Sequence, residues 1–261
     1  MKKQIIRGLV TSVTRVSSTL SKVQVRLSHG LKYHPGQSIW ISPMTSRFMG
    51  SGVTGFYQLC GCPEAALRSN NYEFLVETNP VLGLLRGLGK VRPGDFLEVE
   101  GPFGTFWPLR ARPEENVVWI ATPEKLGPFL ACVQSSNFER IRPRKILLLV
   151  QVANEEALPY RELFESKGVA VIPCFQHPSQ WVNGFLGGLS TLMRHEKFRL
   201  DFKTARYFIS AASPLVQEVW NLLVHEKGVP SNQVVHEANG VGSQSIEQRF
   251  REHSSERLKA A

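Results

Sequence analysis

Around Pro108 the hydrophobic pattern of this 261-residue chain changes period. Before it, Val23, Val25 and Leu27 alternate with Gln24, Arg26 and Ser28, the period of a strand with one face buried. Gly30 ends that run, Pro35-Gly36 marks a turn, and Ser38–Ser42 returns as a strand. Further strands are predicted over Gly55–Cys60, Tyr72–Glu77 and Phe96–Val99, and the continuous apolar run Val81–Leu88 predicts a short helix. Short strands at this spacing predict an antiparallel β-barrel. After Pro108 the strands become uninterrupted apolar runs, Asn116–Ala121 and Lys145–Val152, each followed by a helix-compatible segment, Pro128–Ser135 and Glu155–Lys167. Val169–Ile172 and Tyr207–Ser210 read as further strands, and Leu215–Glu226 as a helix with Gly228 placed to cap it. Strands alternating with helices predict a parallel sheet covered on both faces.

The expected organisation is therefore two domains, an antiparallel barrel over residues 1–109 and an α/β domain with a parallel sheet over 116–240. Residues 110–115 form the linker, and 241–261 a polar C-terminal tail. No apolar run is long enough to span a bilayer, and Arg7 interrupts the only candidate leader. Four cysteines fit a reduced compartment, so a cytoplasmic location is expected. The net charge of +9 is concentrated, because residues 1–63 hold eight basic side chains and no acidic one. A field of one sign suits an acidic partner, and no nucleic-acid-binding motif is legible. Cys60-Gly61-Cys62 lacks two further ligands nearby, and the seven histidines show no metal-ligand spacing, so structural thiols and surface or turn histidines are expected.

In order along the chain stand Tyr33-His34-Pro35-Gly36-Gln37, Gly55-Phe56-Tyr57-Gln58-Leu59, Arg92-Pro93-Gly94-Asp95, Gly101-Pro102-Phe103-Gly104, Tyr160-Arg161, Tyr207–Val216 and His236-Glu237. This order resembles the ferredoxin–NADP⁺ reductase superfamily, a flavin-binding barrel followed by a nicotinamide-binding domain. The resemblance implies FAD, or the smaller FMN, on Tyr57, Gln58 and Leu59, with Gly83 and Arg86 at the diphosphate and Pro128 and Glu237 on the nicotinamide side. It implies electron transfer to an acidic carrier such as a ferredoxin or flavodoxin, with Lys22, Arg26 and Lys32 as the first basic residues to test.

Several positions depart from the family pattern. Gly55 stands where the family has a diphosphate-binding arginine, and Gln58 where it has serine or threonine. The nicotinamide loop, glycine-rich in the family, reads Thr122-Pro123-Glu124-Lys125-Leu126-Gly127-Pro128 here. Ser210-Ala211 replaces a Cys-Gly pair, and Asn239 stands where an aromatic often shields the flavin. The reading that follows is a flavin-dependent electron-transfer oxidoreductase with weakened or altered NAD(P)H binding. The alternative is a non-catalytic interaction module on the same scaffold. The sequence nominates no catalytic residue.

Overall fold

The computed structural model describes residues 5–17, 19–44, 54–79, 84–85, 87–154, 158–176, 184–196 and 198–237. The first sheet uses β1 (Ile6–Arg15), β2 (Leu20–Leu27), β3 (Ser38–Pro43), β4 (Gly55–Gln58), β5 (Asn71–Asn79), β6 (Leu84–Leu85) and β7 (Phe96–Phe103), with helix α1 (Pro63–Ser69) between β4 and β5. All pairings are antiparallel, in the order β4-β3-β7-β1-β2-β5-β6. A bridge from Leu59 to Phe74 brings the end of β4 back to β5 and closes six of these strands into a barrel. Its core is the alternation read from the sequence: Val23, Val25 and Leu27 point inward with Ile39, Ile41, Leu97 and Val99.

The barrel turns depend on glycine. Gly36 has φ +92°, and a Cβ there would lie 1.9 Å from the Phe106 carbonyl oxygen, so any side chain forces the turn open. Gln37 closes the same turn: its amide N–H donates to the His34 carbonyl at 3.1 Å, and its side-chain oxygen accepts from the His34 N–H at 2.8 Å. At the next turn, where Gly94 has φ +95°, the Arg92 N–H donates to the Asp95 carboxylate at 2.7 Å. The expected helix over Val81–Leu88 is not one element. Leu84–Leu85 is a strand paired to Thr78 and Asn79, and a 3-10 turn occupies Gly87–Lys90, while residues 81–83 and 86 lie outside the described residues. A short apolar run satisfies either period, and here pairing with β5 decides.

The second sheet is parallel throughout, in the order β11-β10-β9-β8-β12-β13: β8 (Asn116–Ala121), β9 (Lys145–Val152), β10 (Val169–Phe175), β11 (Phe185–Leu186), β12 (Ala205–Ser210) and β13 (Val234–His236). On one face lie α2 (Gly127–Gln134), α3 (Phe138–Ile141) and α4 (Arg161–Ser166), and on the other α5 (Leu189–Arg194) and α6 (Ser213–Asn221). Burial on both faces explains the continuous apolar strands: Val117, Trp119 and Ala121 of β8 join the first layer, Val118 and Ile120 the second. The helix expected over Glu155–Lys167 begins only at Arg161, with 155–157 outside the described residues. The helix expected over Leu215–Glu226 is α6 followed by a π-helical turn over Leu222–Glu226, and Gly228 beyond it has φ +66°. The expected polar tail lies outside the described residues.

The first core layer does not stop at the linker. Cys60, Leu75, Phe106 and Leu109 from the barrel side pack in one cluster with Trp119, Phe129 and Phe208. Trp119 stacks on Phe129 at 4.9 Å between ring centroids, and its indole N–H donates to the Pro108 carbonyl at 3.0 Å. Among the described residues no helix is long and apolar enough to cross a membrane.

Candidate functional site

Three positions far apart in the chain meet at the carboxyl end of the parallel sheet, against the barrel edge. Gln58 ends β4, Ser210 ends β12, and Glu237 follows β13. The Gln58 side-chain amide donates to Ser210 Oγ at 3.4 Å across 152 residues of sequence. Ser210 Oγ lies 2.8 Å from the Lys125 carbonyl and 2.5 Å from Glu237 Oε1. The Lys125 ammonium stands 3.9 Å from the other Glu237 oxygen.

A serine hydroxyl has one proton and two lone pairs. The Lys125 carbonyl can only accept and the Gln58 N–H can only donate, so the single Ser210 proton is shared between the Lys125 carbonyl and Glu237 Oε1 while Ser210 accepts from Gln58. Desolvation raises the Glu237 carboxyl above its ordinary value, opposed by the Lys125 charge and the hydrogen bond from Ser210. Next to it, His236 Nδ1 is buried with no hydrogen-bond partner among the described residues, and burial lowers its pKa. His236 sits in β13, half-buried, and so departs from the expected surface or turn placement. Nothing in its spacing marks it, because the neighbours that bury it come from the tertiary fold.

Tyr57 rests on the barrel core with its phenol held by the Leu88 backbone, and desolvation pushes the phenol up to about 12. Beside it a Cβ on Gly55 would lie 3.9 Å from Tyr57 Cε2, in ordinary contact with the ring and with no closer neighbour among the described residues. Leu59 is fully buried in the barrel core. Pro128 is buried in the first turn of α2. Gly83 and Arg86, expected at the diphosphate, and Asn239 lie outside the described residues.

The segment joining β8 to α2 is a 3-10 turn over Pro123–Lys125. The Lys125 N–H donates to the Thr122 carbonyl at 2.9 Å and the Leu126 N–H to Pro123 at 3.3 Å. The Thr122 hydroxyl is tied to the Glu124 carboxylate, and Pro123 has no N–H to give. The segment therefore turns the Lys125 and Leu126 donors onto itself. Its end packs tightly: a Cβ on Gly127 would lie 3.3 Å from Gln58 Cβ. A second contact between the halves is made by Glu64 of α1, whose carboxylate accepts from the Ser135 hydroxyl at 3.1 Å and the Ser136 N–H at 3.3 Å. Against partial desolvation, its own N–H, the Cys62 thiol and these two donors pull Glu64 down to about 2.

No protein-family profile matches the sequence, and no curated protein sequence matches it. Solved structures do. The chain is similar to the ferredoxin reductase in carbazole 1,9a-dioxygenase (17% identity, 91% of this chain and 70% of that one, TM-score 0.71). It is similar to a ferredoxin NADP⁺ reductase from Neisseria gonorrhoeae solved with FAD and NADP (16% identity, 91% and 98%, TM-score 0.70). The cytochrome b5 reductase domain of Ulva prolifera nitrate reductase matches equally well (16% identity, 90% and 97%, TM-score 0.70). The chain shares the two-part fold of these reductase structures. Gln58, Ser210 and Glu237, which the sequence resemblance set in three separate motifs, meet in this fold at one hydroxyl.

Proposed function

We propose that the protein is a flavin-dependent electron-transfer oxidoreductase, carrying FAD or FMN, whose reacting centre lies beside Gln58, Ser210 and Glu237. The convergence of these three residues at one hydrogen-bonded cluster carries the reading. A bound flavin would supply hydride acceptance and the release of electrons singly or in pairs. The residues present fit such a ring on one side only. Gln58 is packed against Gly127, so a planar ring would have to lie on the Tyr57 and Gly55 side. Tyr57 gives an aromatic face there, Gln58 can offer its amide to a ring heteroatom on leaving Ser210, and Glu237 is a desolvated carboxyl hydrogen-bonded to the same hydroxyl.

Weakened NAD(P)H binding is part of the same proposal. A dinucleotide pyrophosphate needs free backbone N–H groups at a helix start. Here the Lys125 and Leu126 amides are turned to Thr122 and Pro123, and Glu124 adds a negative charge. The Gln58–Ser210 contact across the halves favours the second reading, a reductase scaffold kept as an interaction module. For a partner the proposal is an acidic electron carrier. Lys22 is paired to Glu73 at 3.2 Å, so the exposed Arg26 and Lys32 are the residues for charge reversal. Their replacement by glutamate slows association at low salt, an effect that fades beyond a Debye length of about 8 Å at physiological salt.

The visible absorption spectrum of the purified protein, with thermal melts in excess FAD and FMN, decides between the two readings. A flavin spectrum, or a melting shift that grows with flavin concentration, supports the enzyme. A colourless protein that neither flavin stabilises refutes it and leaves the interaction module.

A further inference from the structure

At the amino end of the same parallel sheet lies a second concave site. A cavity of about 690 Å³ opens between the linker and β12, lined by Trp107, Arg110, Arg112, Glu115, Arg206 and Phe208 among others. That volume falls within the roughly 300–1,000 Å³ typical of small-molecule sites. Arg206 and Ser210 are four residues apart on β12, about 13 Å along the strand, so this cavity is separate from the cluster described above.

Its charge is unbalanced. Three guanidiniums face one carboxylate, and that carboxylate is already engaged. Glu115 accepts from the Arg112 N–H at 2.7 Å and lies 3.4 Å from Arg206 Nε. Against slight desolvation, the Arg112 N–H, the Arg206 guanidinium and the Arg112 charge together hold Glu115 below its ordinary value. The Arg206 Nε proton is buried and not aligned on any acceptor among the described residues. The Arg110 and Arg112 side chains are exposed, and neither guanidinium makes a hydrogen bond or ion pair among the described residues. One wall is aromatic. Trp107 is 43% exposed and is held by stacking on His34, with 6.0 Å between ring centroids and 23° between planes. Phe208 closes the floor, and the Asn232 amide adds a donor and an acceptor at the rim.

Free guanidinium forks beside a fixed flat ring match one chemistry. We propose that this cavity binds a small aromatic phosphomonoester, its ring laid on Trp107 and its phosphate held by Arg110 and Arg112. A phosphomonoester carries about −1.5 to −2 charges at neutral pH, which suits a cavity where three guanidiniums share one carboxylate. The inference is independent of flavin binding.

Calorimetric titration with naphthyl phosphate tests it, with naphthol, naphthoate and inorganic phosphate as the other arms. The expected result is saturable binding of naphthyl phosphate, unaltered by saturating FAD and about tenfold or more tighter than any of the other three. Charge-assisted hydrogen bonds of this kind are each worth about a factor of ten, so the Arg110→Gln/Arg112→Gln double variant binds at least tenfold more weakly. If the double variant loses its fold by circular dichroism, Arg110→Gln alone decides, with an expected loss of about fivefold or more. Naphthyl phosphate that gives no saturable heat at millimolar concentration overturns the proposal. So does naphthol binding equal to that of the phosphate, naphthoate binding as tight, or a folded arginine variant that binds like the parent.

Discussion

The barrel turns and the β8–α2 turn obey different constraints. Gly36, Gly94, Gly101 and Gly104 all sit at positive φ, and at Gly36 the neighbouring backbone leaves no space for a side chain. In the β8–α2 turn no residue from Thr122 to Pro128 has positive φ, and the chain passes from strand to helix through an ordinary 3-10 turn. The barrel glycines answer to the chain's own geometry, so they persist as long as the barrel folds. A glycine loop that serves a phosphate is demanded only by the phosphate. The contrast separates residues kept for folding from residues kept for a ligand, without reference to any other sequence.

The sharpest way to break this comparison is Gly36→Ala. A Cβ 1.9 Å from a backbone oxygen at φ +92° cannot be relieved by a rotamer change, so a loss of about 3–5 kcal/mol is expected in denaturant unfolding. A loss below about 1 kcal/mol would show the turn to be adaptable. Next comes the triple variant Thr122→Gly, Pro123→Gly, Glu124→Thr. It frees the turn and removes one negative charge, and fluorescence titration should show NADPH affinity raised about tenfold, or about 1.4 kcal/mol. Unchanged affinity with the fold retained would place the obstacle elsewhere than this turn.

The pH dependence of stability follows in size. The Glu237 carboxyl is raised from its ordinary value of 4.5, chiefly by desolvation, so the folded chain binds a proton that the unfolded chain has released. Its contribution is complete below 4.5 and is lost as pH rises through the folded-state pKa. Melting curves of the parent should therefore fall with pH over that window relative to Glu237→Gln, which keeps an oxygen for Ser210 but does not titrate. Parallel pH profiles would refute a raised Glu237 carboxyl. The smallest effect belongs to Glu64→Gln. Glu64 is lowered to about 2, so it stabilises above the ordinary 4.5 and the benefit disappears as pH falls toward 2. The site is well solvated, and about 1 kcal/mol is expected at neutral pH, read as a lower melting temperature.

Legibility followed the range of the interactions involved. The alternation of Val23, Val25 and Leu27 is local, and β2 (Leu20–Leu27) contains it. The apolar runs Asn116–Ala121 and Lys145–Val152 match β8 and β9 residue for residue. Strand β1 was not legible, because Gly8 interrupts its pattern where Val25 Cγ1 would stand 2.7 Å from a Cβ, a packing demand set by the neighbouring strand. The two-residue strand β11 and the six-residue helix α5 are too short to carry a period of their own. In the site, Gln58, Ser210 and Glu237 were each legible as positions in separate motifs. That they share one hydroxyl was not, since it depends on how the barrel edge docks against the end of the parallel sheet.

That docking has a consequence for taking the molecule apart. Cys60, Leu75, Phe106 and Leu109 belong to the same packed layer as Trp119 and Phe129, so the linker at residues 110–115 divides the covalent chain while the apolar interior runs on beneath it. Neither half, expressed separately, could keep that layer out of water. Each would present an oily face and precipitate or recruit the other. Exchanging one half for that of a distant structural relative would meet the same difficulty, because the graft must match a buried jigsaw as well as a loop. The two halves form a single inheritable unit, able to diverge in their ligands but not to be shuffled independently.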